Sequence, residues 1–119
     1  MTTLYGIPNC STVKKARTWL DEQSHLYTFV DFKKQAPTAD LIATWLKDVP
    51  LATLINKRGT TWRKLSAEEQ ASAEDVNAAT ALMMAHPSII KRPVLVHNQH
   101  AQVGFSEEAY AQTFEKAGA

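Results

Sequence analysis

A single cysteine in 119 residues, Cys10, excludes an internal disulfide and any Cys-x-x-Cys metal or redox pair. Glycine is nearly as scarce, with four in all, and neither a P-loop nor a GxGxxG fingerprint occurs. No Ser-His-Asp pattern is present either. No apolar run approaches the ~20 residues of a membrane span, and the N-terminus lacks the basic-then-apolar order of a secretory signal. A dominant charge is also missing: 13 Lys+Arg face 12 Asp+Glu, net +1, which gives no bulk attraction to nucleic acid or an anionic membrane. What remains is one domain, 1–119, long enough for a hydrophobic core without staples. Its charge-driven chemistry must be local. If Met1 is the natural start, the chain is expected in the cytoplasm, acting as a monomer.

Ten of the thirteen basic residues fall in adjacent pairs: Lys14-Lys15, Lys33-Lys34, Lys57-Arg58, Arg63-Lys64 and Lys91-Arg92. Any one pair alone reads as a solvated face. Around them the elements alternate. Thr2 to Ile7 is strand-like, and Val13, Ala16, Trp19 and Leu20 recur at helical spacing to about Gln23. Leu26 to Phe32 is β-rich. Leu41, Ile42, Trp45 and Leu46 then form a helical stripe opened by Pro37-Thr38, and Pro50 introduces a short turn through Leu54 and Ile55. An irregular run, Asn56 to Trp62, follows. Ser66 and Glu69 have capping-box spacing, and Val76, Ala79, Leu82 and Met83 mark a further helix stopped by Pro87. Pro93 to His97 is a strand, Asn98-Gln99-His100 a turn, and Ala101 to Phe105 the returning strand. Ser106 caps a last helix with Tyr110, Phe114 and Ala117 on its apolar face.

The order is βαβ, a helical insertion over about 38–86, then ββα. A strand-helix-strand start crosses over to a parallel neighbour, whereas the last two strands pair as a hairpin. The expected fold is therefore α/β and thioredoxin-like, a four-stranded mixed sheet with the insertion between its second and third strands.

Cys10 sits where the first strand turns through Pro8-Asn9 into the first helix. Unpaired N–H groups and the positive end of the helix dipole favour an anion there, and a thiol so placed is activated as a nucleophile. A small buried hydrophobe is the other fate of a free cysteine, and these residues alone leave the choice open.

Three segments then acquire meaning together: Leu4-Tyr5-Gly6-Ile7-Pro8-Asn9-Cys10-Ser11-Thr12-Val13-Lys14-Lys15-Ala16, Arg58-Gly59-Thr60-Thr61-Trp62-Arg63-Lys64-Leu65, and Ile89-Ile90-Lys91-Arg92-Pro93. In this order and spacing the chain resembles the arsenate reductase-like branch of the thioredoxin superfamily, the ArsC, Spx and YffB group, and the middle segment is most similar to YffB. The resemblance implies a catalytic Cys10, an anion pocket lined by Arg58 and Arg92, and a cis Pro93 beside the cysteine. Two guanidinium groups suit a carboxylate or an oxyanion. Lys14, one helical turn past the cysteine, is a further source of positive potential or simply a solvated lysine.

The chain also departs from the arsenate reductases of that family. Gly6-Ile7 replaces His-Asn before the loop proline, Val13 replaces a hydroxyl residue three past the cysteine, and Gly104-Phe105-Ser106 stands where a third arginine is expected. A pocket so changed is poorer for a multiply charged oxyanion. With one thiol, resolution of a mixed disulfide needs an external thiol. No bound cofactor is implied. Glutathione is the expected co-substrate, with a small thiol or disulfide substrate and a glutaredoxin-like protein as a further reductant; no nucleic acid, membrane or metal is expected. The alternatives are an Spx-like partner-binding regulator, although Val13 removes its CxxC switch, and an arsenate reductase. His97 and His100 read as a surface turn rather than metal ligands. Trp19 and Trp45 read as core, and Trp62 as either a wall of the cleft or an anchor of the insertion.

Overall fold

The computed structural model describes residues 1–118, the side chains of 116–118 excepted, so the expectation for Ala117 lies outside the described residues. Strand β1 (Thr2–Gly6) leads into helix α1 (Ser11–Glu22), and β2 (Thr28–Asp31) follows. Five helices come next: α2 (Ala39–Leu46), α3 (Leu51–Leu54), α4 (Thr60–Lys64), α5 (Ala67–Ser72) and α6 (Val76–Ala85). A 3-10 turn, Pro87–Ile89, then delivers the chain to β3 (Val94–His97), β4 (His100–Val103) and α7 (Glu107–Gly118). The sheet order is β2-β1-β3-β4, with β1 and β2 parallel and the other pairs antiparallel. This is the mixed thioredoxin-like sheet that the sequence implied.

Alternation along the strands sorts side chains onto two faces. Leu4 and Leu95 point toward α1 and α7, where they meet Ala16, Trp19, Leu20 and Tyr110. Tyr5, Val94 and Val96 point the other way, toward a larger cluster that includes Phe32, Ile42, Trp45, Leu54 and Met83 of and around the insertion. Trp62 is buried in this second cluster, with the Lys57 ammonium 5.7 Å from its ring centroid, so it anchors the insertion.

Three local expectations change. The run Asn56 to Trp62 is irregular only as far as Gly59, because α4 begins at Thr60. The hairpin turn is shorter than Asn98-Gln99-His100: His97 pairs with His100, and the turn is Asn98-Gln99, both in the left-handed region at φ 50° and 70°. That is the geometry a two-residue turn needs to match strand twist. The second strand is also trimmed, beginning at Thr28, with Leu26 standing 93% exposed before it.

The junction between β1 and α1 is unusually close. A Cβ built on Gly6 would lie 2.8 Å from Cγ2 of Val13, a fully buried side chain. Here glycine is required by packing. Gly6→Ala should destabilise the protein by about 1–3 kcal/mol, the cost of overpacking a filled core. Adding Val13→Ala should recover part of that loss in a denaturant-melt double-mutant cycle, whereas strict additivity would mean that the two sites do not share the contact.

Asp48, just past α2, ties the insertion to the sheet. Its carboxylate accepts from the Ala101 N–H at 2.9 Å and lies 3.4 Å from Nδ1 of His100. These partners, the Ala101 amide first, hold its carboxyl below the ordinary aspartate range. A carboxylate depressed in the folded state adds stability above its unfolded value, and that stability is lost as pH falls through the folded value. The stability gap between wild type and Asp48→Asn, measured by urea unfolding, should therefore be present at pH 7 and close as pH drops below about 4.

Candidate active site

Cys10 is the N-cap residue of α1, with extended backbone angles (φ −106°, ψ 127°) and its carbonyl accepting from the Lys14 N–H at 2.9 Å. A cysteine cannot cap as serine or aspartate does, and no side-chain oxygen caps this helix. Its first turn also holds no acidic residue. The positive end of the dipole is therefore left uncompensated next to the half-buried sulfur.

A cavity of about 370 Å³ opens at Cys10, with Asn56, Lys91, Arg92 and Phe105 among its walls and Thr12 and Gly104 completing it. Four distant segments thus meet. The peptide bond between Arg92 and Pro93 is cis, and Pro93 is buried where β3 begins. Gly104 is held from two sides: its N–H donates to the Pro93 carbonyl at 2.9 Å, and its carbonyl accepts from the Tyr110 hydroxyl at 3.3 Å. Its φ of 78° is a conformation that favours glycine. Phe105 packs edge-on against Tyr110, ring centroids 4.8 Å apart. The segment expected to carry a third arginine instead supplies a small residue and an aromatic wall.

The other two cationic candidates stand elsewhere. Arg58 is exposed and lines an adjoining cavity of about 290 Å³, which shares Asn56 and Lys91 with that of Cys10. Lys14 lines a groove between α1 and the start of α7. Cys10 lies outside the helical conformation, so the four-residue spacing from Cys10 to Lys14 does not align their side chains on one helical face.

Lys91 and Asn56 were not singled out by the sequence. Lys91 was legible only as half of a basic pair, and a Cβ on Gly104 would lie 3.6 Å from its Cε. Asn56 organises the neighbouring loop, its Oδ1 accepting from the Arg58 N–H at 3.1 Å and its carbonyl from the Gly59 N–H at 3.4 Å. An Asn directly before a Lys-Arg-Gly run, two residues ahead of the Arg58 N–H it accepts from, is a recognisable Asx-turn signal.

His97 and His100 engage different partners. Nδ1 of His97 is 2.6 Å from the Thr2 hydroxyl, and burial pushes its pKa down, with the positive N-terminus and His25 adding to the effect. His100 faces Asp48. No cluster of three or more His, Cys, Asp or Glu suited to a metal ion occurs among the described residues.

With Cys10 and Arg92 around one cavity and a cis bond joining Arg92 to Pro93, comparison with known proteins becomes decisive. The model of the ArsC family matches residues 5–113. The chain belongs to the ArsC family. Among solved structures it is similar to the YffB protein, at 43% identity and a TM-score of 0.89, covering 94% of this chain and 97% of that one. An ArsC-related protein from Brucella melitensis is 42% identical with a TM-score of 0.71, covering 95% and 93% of the two chains. The global transcriptional regulator Spx of Staphylococcus aureus is 29% identical over 111 residues, 91% of this chain and 82% of that protein. The chain is thus arsenate reductase-like, with a regulator among its relatives. No described helix is long and apolar enough to cross a membrane.

The Arg92 side chain makes no hydrogen bond or ion pair to the described protein, so its removal should cost little stability. Arg92→Ala should shift unfolding by no more than about 0.5 kcal/mol. It should weaken binding of an anionic ligand in the Cys10 cavity roughly tenfold or more, the value of a lost charge-assisted bond. Calorimetric titration beside a thermal melt checks both, and a matched loss of stability and affinity would mark Arg92 as structural.

Proposed function

We propose that this protein is a thiol–disulfide oxidoreductase that uses glutathione as co-substrate and Cys10 as its nucleophile. The observation that carries this reading is the cavity in which the only cysteine of the chain meets Lys91 and Arg92. Glutathione carries two carboxylates on a flexible tripeptide and suits a pair of cations better than one. Lys91 and Arg92 take one carboxylate, and Arg58, across the shared Asn56 and Lys91 wall, takes the other.

In the cycle, the Cys10 thiolate attacks the glutathionyl sulfur of a mixed disulfide. The old S–S bond breaks, the substrate leaves as a thiolate that takes a proton from water, and a Cys10–glutathione disulfide forms. A second glutathione thiolate attacks that bond, regenerating Cys10 and releasing oxidised glutathione. Net, one glutathione thiol and the mixed disulfide give the free substrate thiol and oxidised glutathione, half of which comes from the substrate's own glutathionyl group. A glutaredoxin-like protein can replace the second glutathione. The N-terminus of α1 and the cationic walls face the negative charge that the sulfurs share as each exchange proceeds.

Compact arsenate is a poorer fit. The wall where a third arginine is expected is Phe105, which offers an apolar surface to an organic disulfide and no donor to an oxyanion. The likeness to Spx supports a second reading, a partner-binding protein without turnover.

Steady-state assays with a small glutathione mixed disulfide and with arsenate, on wild type and Cys10→Ser, separate these readings. Turnover of the disulfide that vanishes in Cys10→Ser, with arsenate turnover far lower, is expected. Robust Cys10-dependent arsenate turnover would overturn the substrate assignment. Absence of all turnover, with alkylation by iodoacetamide no faster than that of free cysteine, would favour the binding role.

A further inference from the structure

Beside the Cys10 cavity, a groove of about 560 Å³ runs between α1 and the start of α7, lined by Lys14, Lys15, Trp19, Glu22, Phe105 and Glu107 among others. Phe105 belongs to both spaces, so the groove begins where the reactive cavity ends. Its charge is ordered along the helix. Lys14, whose N–H donates to the Cys10 carbonyl, marks the end near the thiol. Glu22 closes α1 at the other end, about 12 Å along a helix that rises 1.5 Å per residue. Neither these groups nor Lys15 and Glu107 form an ion pair among the described residues. Trp19 and Phe105 add apolar lining to the groove.

The proposed chemistry needs such a surface. In disulfide exchange the attacking, central and leaving sulfurs approach a line, and the central sulfur carries the glutathionyl group held in the cavity. The leaving sulfur, with the protein that bears it, therefore lies outside that cavity and beside it.

We propose that this groove docks the polypeptide half of a glutathionylated protein substrate. The segment it fits has an acidic residue next to the modified cysteine, facing Lys14 and Lys15, and a basic residue about four positions away, facing Glu22. Four extended residues span about the length of the groove. This inference rests on the function proposed above: chemistry at Cys10 supplies the reaction, and the groove selects the protein.

The test uses two glutathionylated peptides of identical composition, one with the acidic residue beside cysteine and lysine four positions on, the other with the two exchanged. For each protein variant, kcat/KM on each peptide is divided by its own value on the small mixed disulfide of glutathione and 2-mercaptoethanol. Wild type should prefer the first peptide roughly fivefold, the size expected of two exposed charge pairs. The double reversal Lys15→Glu/Glu22→Lys should favour the second. Equal rates on the two peptides, or a preference untouched by the reversal, would overturn the groove assignment. Calorimetric titration with peptides carrying serine in place of cysteine reads docking without chemistry, and binding that ignores charge order also overturns it. No turnover of the small disulfide, with charge-ordered peptide binding intact, would instead remove the proposed reaction and leave the groove standing.

Discussion

Two short hydrogen bonds hold the cationic side of the site together. The Lys91 N–H donates to the Leu54 carbonyl at 2.7 Å, and the Asn56 N–H donates to the Ile89 carbonyl at the same distance. They clasp the end of α3 to the approach of β3 as an isolated antiparallel bridge between Ile55 and Ile90. Both isoleucines are buried, so the bridge is shielded from water and reinforced by apolar packing. The loop bearing Asn56, Lys57 and Arg58 is thereby fixed next to Lys91, Arg92 and Pro93. Residues more than thirty positions apart share one border, Asn56 and Lys91 lining both the Cys10 cavity and the adjoining one at Arg58.

That clasp also explains what could and could not be read from the chain. Strand and helix patterns follow local rules, so Cys10 at a strand-to-helix junction was legible from Thr2 to Leu20. The cis bond before Pro93 was legible only through resemblance, since the residues themselves favour neither isomer strongly. The division of labour between Arg58 and Arg92 was not legible. It depends on a two-residue bridge between the insertion and the approach to β3, too short to leave a periodic signal. Lys14 lies one helical turn past Cys10, but its side chain lines the adjoining groove rather than the Cys10 cavity, because helical spacing does not carry across an N-cap that is not helical. Lys91 was hidden by its own ordinariness as a surface cation and gains its place from passing near Gly104.

The departures from the arsenate reductase pattern form a coherent set once their positions are known. Val13 fills the space above Gly6, so a bulky polar residue at position 6 and the branched side chain at position 13 cannot coexist without rearrangement. Phe105, steadied by Tyr110, walls the cavity on another side. Two of the departing positions are thus taken up by apolar packing, Val13 against Gly6 and Phe105 against Tyr110. The retained cations lie along one elongated side.

Asp48 has a role beyond joining the insertion to the sheet. β4 is an outer strand, and outer strands present unpaired amides that recruit the strands of other molecules. The carboxylate of Asp48 occupies one of these donors, the Ala101 N–H, and α2 packs next to the same strand. At the opposite margin β2 has only four residues. The sheet is thus blunted by a charged plug on one border and by brevity on the other, which guards it against edge-to-edge polymerisation in a crowded solution.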